Sequence, residues 1–236
     1  MSSERSSRGR GRERLGACSA PRMRRRRVVQ TIGGCGLAWA LPGVVLAAPD
    51  PANELGSGRY ATLRVFLEKT VLQIEVLKLE IRVDQATADE LERAIRGREY
   101  SSDLERKVVA IVLGTGDASS SLNFLRSFSR EAFIDGVRED VTRAYEGKLI
   151  DRREYQRVYR GLPSWFAFLG ERGVKAGDWL LHRGTSAGLR SVFTDDRGNK
   201  LMDRTFSGAQ PTRTLLASFL APGGDLREPL ARSLFP

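Results

Sequence analysis

The chain has 236 residues, of which 41% are hydrophobic, and 39 lysines and arginines against 29 aspartates and glutamates give it a formal net charge of +10. Residues 1–47 contain ten of the arginines and only two acidic residues, so this segment alone carries +8. Phosphate binding requires basic side chains gathered on a folded surface, and a charged tail does not supply one. The composition therefore argues against a nucleic-acid partner.

Residues 23–47 have the composition of a secretory signal. Four consecutive arginines, residues 24–27, precede an apolar run over residues 28–45, and small residues follow before Ala48. A positive segment, an apolar core and a small-residue cleavage site are the three parts of such a signal. We therefore expect export to the periplasm, with cleavage near Ala47.

The signal leaves the export route and the start of the chain open. Paired arginines before a weakly hydrophobic core are typical of the twin-arginine route, and residues 1–22 are then an upstream extension or a misassigned start. The apolar run is shorter than the about 20 residues that span a bilayer. We expect no stable membrane span after cleavage, and a retained N-terminal anchor is the alternative.

Both cysteines, Cys18 and Cys35, precede the cut, so the mature chain has no disulfide.

The mature chain is predicted to be one domain. Residues 48–58 are rich in proline, alanine and glycine and predict a linker, and residues 59–236 form the domain. A chain of this length buries about 70% of its unfolded surface without a disulfide or metal. The sequence contains no signal for oligomerisation.

The first predicted elements are a strand and two helices. Apolar residues alternate over residues 71–84 and slip by one at Val76, which predicts a strand with a β-bulge there. Thr87 and Ser102 each begin a capping-box pattern and predict two helix starts, and Gly97 ends the first helix.

A short strand, a helix and a sheet follow. "SLNFLRSF" predicts a strand, and Ser129 caps a third helix with an apolar residue every three or four positions. From Asp178 onward, "DWLLHR", "LRSVFT" and "KLMDRTFS" predict three strands, the last two joined by a hairpin turn. Pro211 lies in the first turn of a final long helix. These elements predict an α+β fold, with helices on one face of an antiparallel sheet.

Few residues suggest catalysis. His182 is the only histidine, it shares a predicted strand face with Asp178 and Leu180, and we interpret it as a structural or surface residue. A metal site lacks histidine and thiolate ligands, and no glycine-rich segment has a phosphate-loop pattern. We therefore expect no metal and no cofactor.

An aromatic cluster stands out near the middle of the domain. Trp165, Phe166 and Phe168 follow Pro163 within "LPSWFAFL". Such a cluster forms either the wall of an apolar cleft or a core plug where the chain enters the sheet.

Residues 170–220 resemble the chalcone isomerase-like proteins in the order of their elements. A glycine turn precedes Gly177 and Asp178, two strands and a hairpin with the pattern D-x-x-G follow, and a helix ends near a small-residue loop. The resemblance extends more weakly back to about Tyr60. It implies the family fold, an open-faced antiparallel β-sheet with a helical layer.

The resemblance also implies which catalytic residues are missing. In the plant enzymes an arginine stabilises a phenolate, and a tyrosine, a lysine and an asparagine on one helix arrange the substrate and water. The third predicted helix places Phe133, Gly136 and Asp140 at those three positions. Thr212 falls where the enzymes have a serine or threonine, and Arg64 is the nearest arginine ahead of the first predicted strand. One hydroxyl and one arginine do not make the enolate-stabilising site.

The expected function is non-catalytic binding of an apolar small molecule, such as a fatty acid. The ligand pocket is predicted to contain Phe133, Asp140, Trp165, Phe166 and Phe168. The rival is a cofactor-independent isomerase or lyase in which Arg64 and Thr212 are the catalytic residues. A third class is an envelope protein that binds a partner and has a filled core without a pocket.

The export signal predicts a defined mature protein. When the chain is expressed in bacteria with its own leader, the periplasmic fraction should contain a species whose intact mass corresponds to a start at Ala48. Replacing all four arginines 24–27 by glutamine should abolish that species, because the positive segment directs export. An uncleaved chain in the membrane fraction would instead support the retained anchor.

Overall fold

The structure is a computed structural model that describes residues 61–69 and 74–235. The predicted signal region 1–47, with both cysteines, and the linker 48–58 lie outside the described residues. So do residues 71–73 of the first predicted strand. None of the helices in the described ranges is both long and apolar enough to cross a bilayer.

Six strands form one sheet in which the spatial order is the chain order and every neighbouring pair is antiparallel. The strands are β1 (Thr62–Lys69), β2 (Ile74–Val83), β3 (Ala118–Phe124), β4 (Trp179–Thr185), β5 (Gly188–Thr194) and β6 (Lys200–Ser207). Antiparallel neighbours can be joined either by a short hairpin or by a longer excursion. In this sheet the two longer excursions, after β2 and after β3, carry helices.

In the described ranges, six α-helices accompany the sheet: α1 (Gln85–Ile95), α2 (Ser102–Leu113), α3 (Arg130–Glu146), α4 (Arg152–Trp165), α5 (Gln210–Phe219) and α6 (Arg227–Arg232). The first pair connects β2 to β3, and the second pair connects β3 to β4. Helix α3 packs against both α4 and α5, and α5 contacts β4 and β5. These three helices therefore cover the centre of the sheet.

The two faces of the sheet differ in polarity. Leu63, Ile81 and Phe193 point to the helices and are fully buried. The opposite face carries ion pairs, such as Arg64 with Glu80. An antiparallel sheet with one buried and one solvated face alternates in this way. The structure confirms the predicted α+β fold with an open-faced antiparallel sheet and a helical layer.

The predicted β-bulge is confirmed. Leu67 of β1 pairs with Leu77 of β2, and the next residue, Glu68, pairs with Glu75. Val76 is therefore the extra residue, and the alternation slips there. The three strands of the C-terminal part and their hairpin turn are also confirmed, as is the third helix, whose cap Ser129 accepts a hydrogen bond from the Ala132 N–H at 3.1 Å.

Three predicted boundaries are wrong, and tertiary contacts explain the first of them. Helix α1 is capped by Asp84, which accepts a hydrogen bond from the Thr87 N–H at 2.8 Å, so the helix begins before the predicted Thr87. The Asp84 carboxylate also accepts hydrogen bonds from the backbone N–H groups of Gly116 and Asp117. A contact made 32 residues away thus fixes the cap. The other two boundaries are the cap of α2, which is Ser101 rather than Ser102, and the start of β3, which precedes the predicted strand by three residues.

Strand β1 and helix α4 were not predicted. Strand β1 places Arg64 inside the sheet and not ahead of the first strand. Helix α4 has only three buried residues, Glu154, Val158 and Leu162. Val158 and Leu162 are four positions apart in a largely polar segment, which is helical spacing, so the signal was present in the sequence and was missed.

A buried ion pair fixes the entry into β4. The Asp178 side chain is fully buried and accepts hydrogen bonds from both terminal nitrogens of Arg172, at 2.7 and 2.6 Å, and from the Lys175 N–H at 2.7 Å. Its backbone carbonyl accepts from the Phe124 N–H at 3.0 Å. Arg172 and Asp178 therefore attach the loop before β4 to the end of β3.

Loss of that pair should destabilise the fold. We expect Arg172→Met to lower the free energy of unfolding by about 3 kcal/mol, because it leaves the buried Asp178 carboxylate without its counter-charge. Urea denaturation measures the change. The matched control is Arg190→Met, which breaks a two-bond pair with Asp203 on the exposed face and should cost under about 1 kcal/mol. Equal losses in the two variants would contradict the assigned role of Asp178.

Candidate functional site

A cavity of about 120 Å³ lies between the inner face of the sheet and helices α3, α4 and α5. Its walls are mainly apolar. The apolar lining residues are Leu122, Phe133, Val137, Val141, Val158, Leu162, Trp165, Phe166, Leu180, Leu189, Met202, Phe206, Pro211, Leu215 and Phe219. An apolar concavity with a few polar groups is the usual form of a small-molecule site.

Helical spacing places the lining side chains of α3 on the side of the helix that faces the cavity. Phe133, Val137 and Val141 recur every fourth residue along α3, so they lie on one face of the helix. Two aromatic contacts close the far side. The rings of Phe133 and Phe166 meet edge to face, with centroids 4.8 Å apart. The rings of Trp165 and Phe206 are 4.7 Å apart and join the end of α4 to the edge strand β6.

A row of polar residues crosses the floor of the cavity. In the strand register Ser120 of β3 lies opposite His182 of β4, His182 lies opposite Ser191 of β5, and Ser191 lies opposite Arg204 of β6. Residues opposite one another in a sheet point to the same face. The ring nitrogen Nδ1 of His182 is 2.8 Å from the Ser191 hydroxyl oxygen. His182, Ser191 and Arg204 line the cavity.

Burial keeps His182 neutral. Only 8% of the residue is exposed, and desolvation lowers the pKa of its imidazole to about 3. Among the described residues, its second ring nitrogen, Nε2, has no hydrogen-bond partner. A group with so low a pKa is a poor general base at neutral pH. His182 can therefore donate or accept a hydrogen bond inside the cavity but carries no charge there.

Three charged side chains, Asp140, Arg157 and Arg204, line the part of the cavity that meets solvent. Arg157 is engaged, because its Nε donates to the Glu154 carboxylate at 2.8 Å and its guanidinium lies over the Trp165 ring. Arg204 differs from it. Within the described part of the chain, Arg204 has no carboxylate within 4.0 Å and no hydrogen bond. Among the described residues, Arg204 is thus a cation at the cavity that has no ion-pair partner.

Glu154 links helices α4 and α5, which form two walls of the cavity. The residue is buried and accepts hydrogen bonds from Arg157 on α4 and, at 2.9 Å, from the Thr214 hydroxyl on α5. The Arg157 guanidinium holds the pKa of the Glu154 carboxyl below its usual range. The carboxylate therefore stays charged and keeps α4 against α5.

Four of the five predicted pocket residues line the cavity: Phe133, Asp140, Trp165 and Phe166. Phe168 does not line it and packs on the Phe193 ring, with centroids 5.2 Å apart. The aromatic cluster is therefore divided. Part of it forms the cavity wall, and part of it belongs to the core.

The two predicted catalytic residues are not brought together. Arg64 lies on the solvated face of β1, where its Nε donates to the Glu80 carboxylate at 2.9 Å. Thr212 lies in the first turn of α5 and is buried against Gly184, at which a Cβ atom would come within 2.2 Å of the Thr212 methyl carbon. Neither residue lines the cavity. Their catalytic role stays a prediction, and the geometry offers no shared site for it.

The sequence reasoning missed Ser191 and Arg204 as site residues and treated His182 as structural. The signal that could have identified them is the register of three predicted strands. Within the parts of the chain whose side chains are described, no group of three or more His, Cys, Asp or Glu residues is arranged to hold a metal ion.

Comparison with known proteins gives limited similarity. No protein-family model matches the chain. Over 104 residues it is 33% identical to an ATP synthase subunit delta of Nitrobacter winogradskyi, which covers 42% of this chain and 55% of that protein. The chain thus spans about half the length of the curated relative it matches.

The structure is similar to the crystal structure of a fatty-acid binding protein from Arabidopsis thaliana. The TM-score is 0.45, the sequence identity is 11%, and the match covers 74% of this chain and 85% of that chain. A similarity of this size does not identify a ligand for this protein.

The buried His182 should make stability depend on pH. The unfolded chain takes up a proton near pH 6.5, whereas the folded imidazole does so only near pH 3. The unfolded state therefore binds more protons between these values, and stability falls as the pH falls through this window. We expect a loss of about 2 kcal/mol between pH 7 and pH 5.

Urea denaturation at the two pH values measures this loss. His182→Leu removes the only histidine of the chain and should abolish the pH dependence within that window, in which carboxylates change little. An unchanged slope in the variant would show that another group titrates.

Proposed function

We propose that this chain is an exported, non-catalytic protein of the chalcone isomerase-like family that binds an apolar small acid, such as a fatty acid. The binding site is the cavity between the sheet and helices α3, α4 and α5. The observation that supports the proposal is this cavity itself, with apolar walls, a neutral polar floor and the Arg204 guanidinium, which has no ion-pair partner within the described part of the chain. Export is inferred from the signal in residues 23–47.

The walls supply the affinity for an apolar ligand. Removing apolar surface from water contributes about 25 cal/mol per Å², and most of the lining side chains are aliphatic or aromatic.

The volume of the cavity limits the size of the ligand. An apolar cavity of about 150 Å³ holds one benzene ring, so a cavity of about 120 Å³ accepts a ring or a short acyl segment. A longer chain would have to extend past the rim into solvent.

Arg204 supplies a place for the acid group. A guanidinium binds a carboxylate in two-bond geometry, and Arg204 has no such partner among the described residues. Arg157 lies at the same rim but is held by Glu154. A ligand that lays its apolar part in the cavity can therefore place its carboxylate on Arg204.

The rival isomerase lacks geometric support. Its two candidate residues, Arg64 and Thr212, are on different elements outside the cavity. The histidine of the cavity floor, His182, has a pKa too low for proton abstraction at neutral pH. The third class, a partner-binding protein with a filled core, is disfavoured by the cavity volume. Binding is the function that the site supports best.

Octanoate provides the test, with binding followed by isothermal titration calorimetry. Val137 is a partly buried residue of α3 that lines the cavity. We expect Val137→Phe to weaken octanoate binding at least tenfold, because the larger side chain occupies the ligand volume. The matched control is Ile95→Phe on α1, which replaces a partly buried aliphatic residue outside the cavity and should leave the affinity unchanged.

Two further arms of the same titration test the head group. Arg204→Gln should weaken octanoate about tenfold or more, because hydrogen bonds to charged groups are worth about 1.5–3 kcal/mol, and it should leave octanol binding nearly unchanged. Arg197→Gln removes an exposed arginine from the turn after β5 and serves as the charge control. The proposal fails if the wild-type protein binds neither octanoate nor octanol, or if Val137→Phe binds octanoate as well as Ile95→Phe does.

A further inference from the structure

The polar row on the floor of the cavity lies between two apolar rows. On one side of it, cross-strand pairing joins Leu79, Leu122, Leu180, Phe193 and Met202 into a row without a polar side chain. On the other side, the corresponding row is Val83, Ala118, Gly184, Leu189 and Phe206. Four adjacent polar residues on this face are therefore a local exception, confined to the strands under the cavity.

The polar row continues an apolar one. Leu63 and Ile81 occupy the same transverse row on β1 and β2, and both are fully buried. The change from aliphatic to polar side chains occurs at Ser120 on β3. The composition of this row therefore follows the position of the cavity and not a general preference of the sheet.

The polar groups of this row do not fill one another's hydrogen-bonding capacity. The contact between His182 and Ser191 uses one ring nitrogen and one hydroxyl. The other ring nitrogen has no partner within the described residues. The hydroxyl of Ser120 is buried and also lacks a hydrogen-bond partner. Buried polar groups are normally paired, so the row retains hydrogen-bonding capacity that the described protein does not use. Ser120 does not line the cavity, so the capacity open to a ligand is that of His182 and Ser191.

A neutral oxygen of a ligand fits this capacity better than a charged one. A neutral imidazole has one donor and one acceptor nitrogen, and a serine hydroxyl can do either. Burying a carboxylate beside these groups would leave its charge uncompensated. A ligand hydroxyl both donates and accepts, and a carbonyl accepts, so each can pair with the Nε2 side of His182 in the tautomer that suits it.

The register also fixes how far this polar floor lies from the cation. His182 is on β4 and Arg204 is on β6, with Ser191 between them. Neighbouring strands are about 4.8 Å apart, so the two backbones are separated by roughly 10 Å. A ligand that contacts both side chains therefore spans β5, and the backbone separation sets the scale of its length.

We infer that the cavity selects an apolar acid with a second, neutral oxygen at its far end, a hydroxyl or a carbonyl, and that His182 and Ser191 form the subsite for that oxygen. This inference rests on the proposed function, because it names the ligand class of the same cavity. Arg204 holds the carboxylate, the apolar walls hold the middle of the ligand, and the polar row holds the far oxygen. The matching ligands are ω-hydroxy acids and hydroxyaryl acids of about eight carbons.

Two probes that differ by one oxygen test this inference, octanoate and 8-hydroxyoctanoate, titrated by calorimetry into the full mature protein. We expect the hydroxylated acid to bind wild-type protein at least tenfold more tightly. His182→Leu keeps the size of the side chain and should reduce this preference at least tenfold, because the imidazole that pairs with the far oxygen is removed. Ser191→Ala should reduce the preference in the same direction, because the hydroxyl orients the imidazole.

Ser119→Ala is the matched control for the serine variant. Ser119 is also buried on β3 and its hydroxyl also lacks a partner, but it precedes Ser120 by one residue and points to the other face of the sheet. This variant should retain the wild-type preference. Thermal unfolding of each variant verifies that it is folded, and if His182→Leu is unfolded, the Ser191→Ala and Ser119→Ala pair decides the question.

The outcomes separate this inference from the proposed function. Equal affinity of the wild-type protein for the two acids, or tighter binding of octanoate, would overturn the inference and leave the proposed function standing. A preference for the hydroxylated acid that survives in both His182→Leu and Ser191→Ala would also overturn it. Failure to bind either acid would overturn the proposed function, and the inference with it.

Discussion

The covering of one sheet face by α3, α4 and α5 is the constraint on which the rest of the structure depends. Most of the inner face is apolar, from Leu63 on β1 to Phe193 on β5, and these side chains have to be removed from water. The three helices cover the centre of the face, and α6 contacts β1 at one edge. Helix α3 contributes aromatic and branched side chains, whereas α4 buries only three residues. The cavity is the space between these helices and the central strands.

Polar side chains hold this helical layer in place. Glu154 joins α4 to α5 through Thr214, and Arg172 with Asp178 fixes the loop that leads from the helices back into β4. Both contacts involve buried carboxylates with an arginine partner, an arrangement that resists displacement because separation leaves a buried charge. These polar contacts at the margins of the cavity add to the packing of α3 against α4 and α5.

The same fold keeps the cavity suited to binding and unsuited to proton transfer. A histidine in a solvated cleft titrates near neutral pH, but His182 lies under the helical layer, and its burial removes the charged form. The charged groups are at the rim, where water reaches them. The site therefore has a neutral polar floor and a cationic edge. Such an arrangement is suited to binding a molecule with one neutral and one charged end, and less suited to activating that molecule for a reaction.

The sequence by itself determined the α+β class, the bulge at Val76, the C-terminal strands and the third helix, because each of these depends on alternation or on capping residues that are close together in the chain. It also indicated that Phe133, Trp165 and Phe166 were candidates for a cleft. The tertiary structure alone decided the cap at Asp84, because that carboxylate is shared with the loop before β3, and it alone assembled Ser120, His182, Ser191 and Arg204 into one row. These four residues come from four strands, and a shift of one residue in any strand would turn its side chain to the opposite face. Periodicity in a single strand shows which residues share a face, but only the pairing of the strands shows which of them become neighbours.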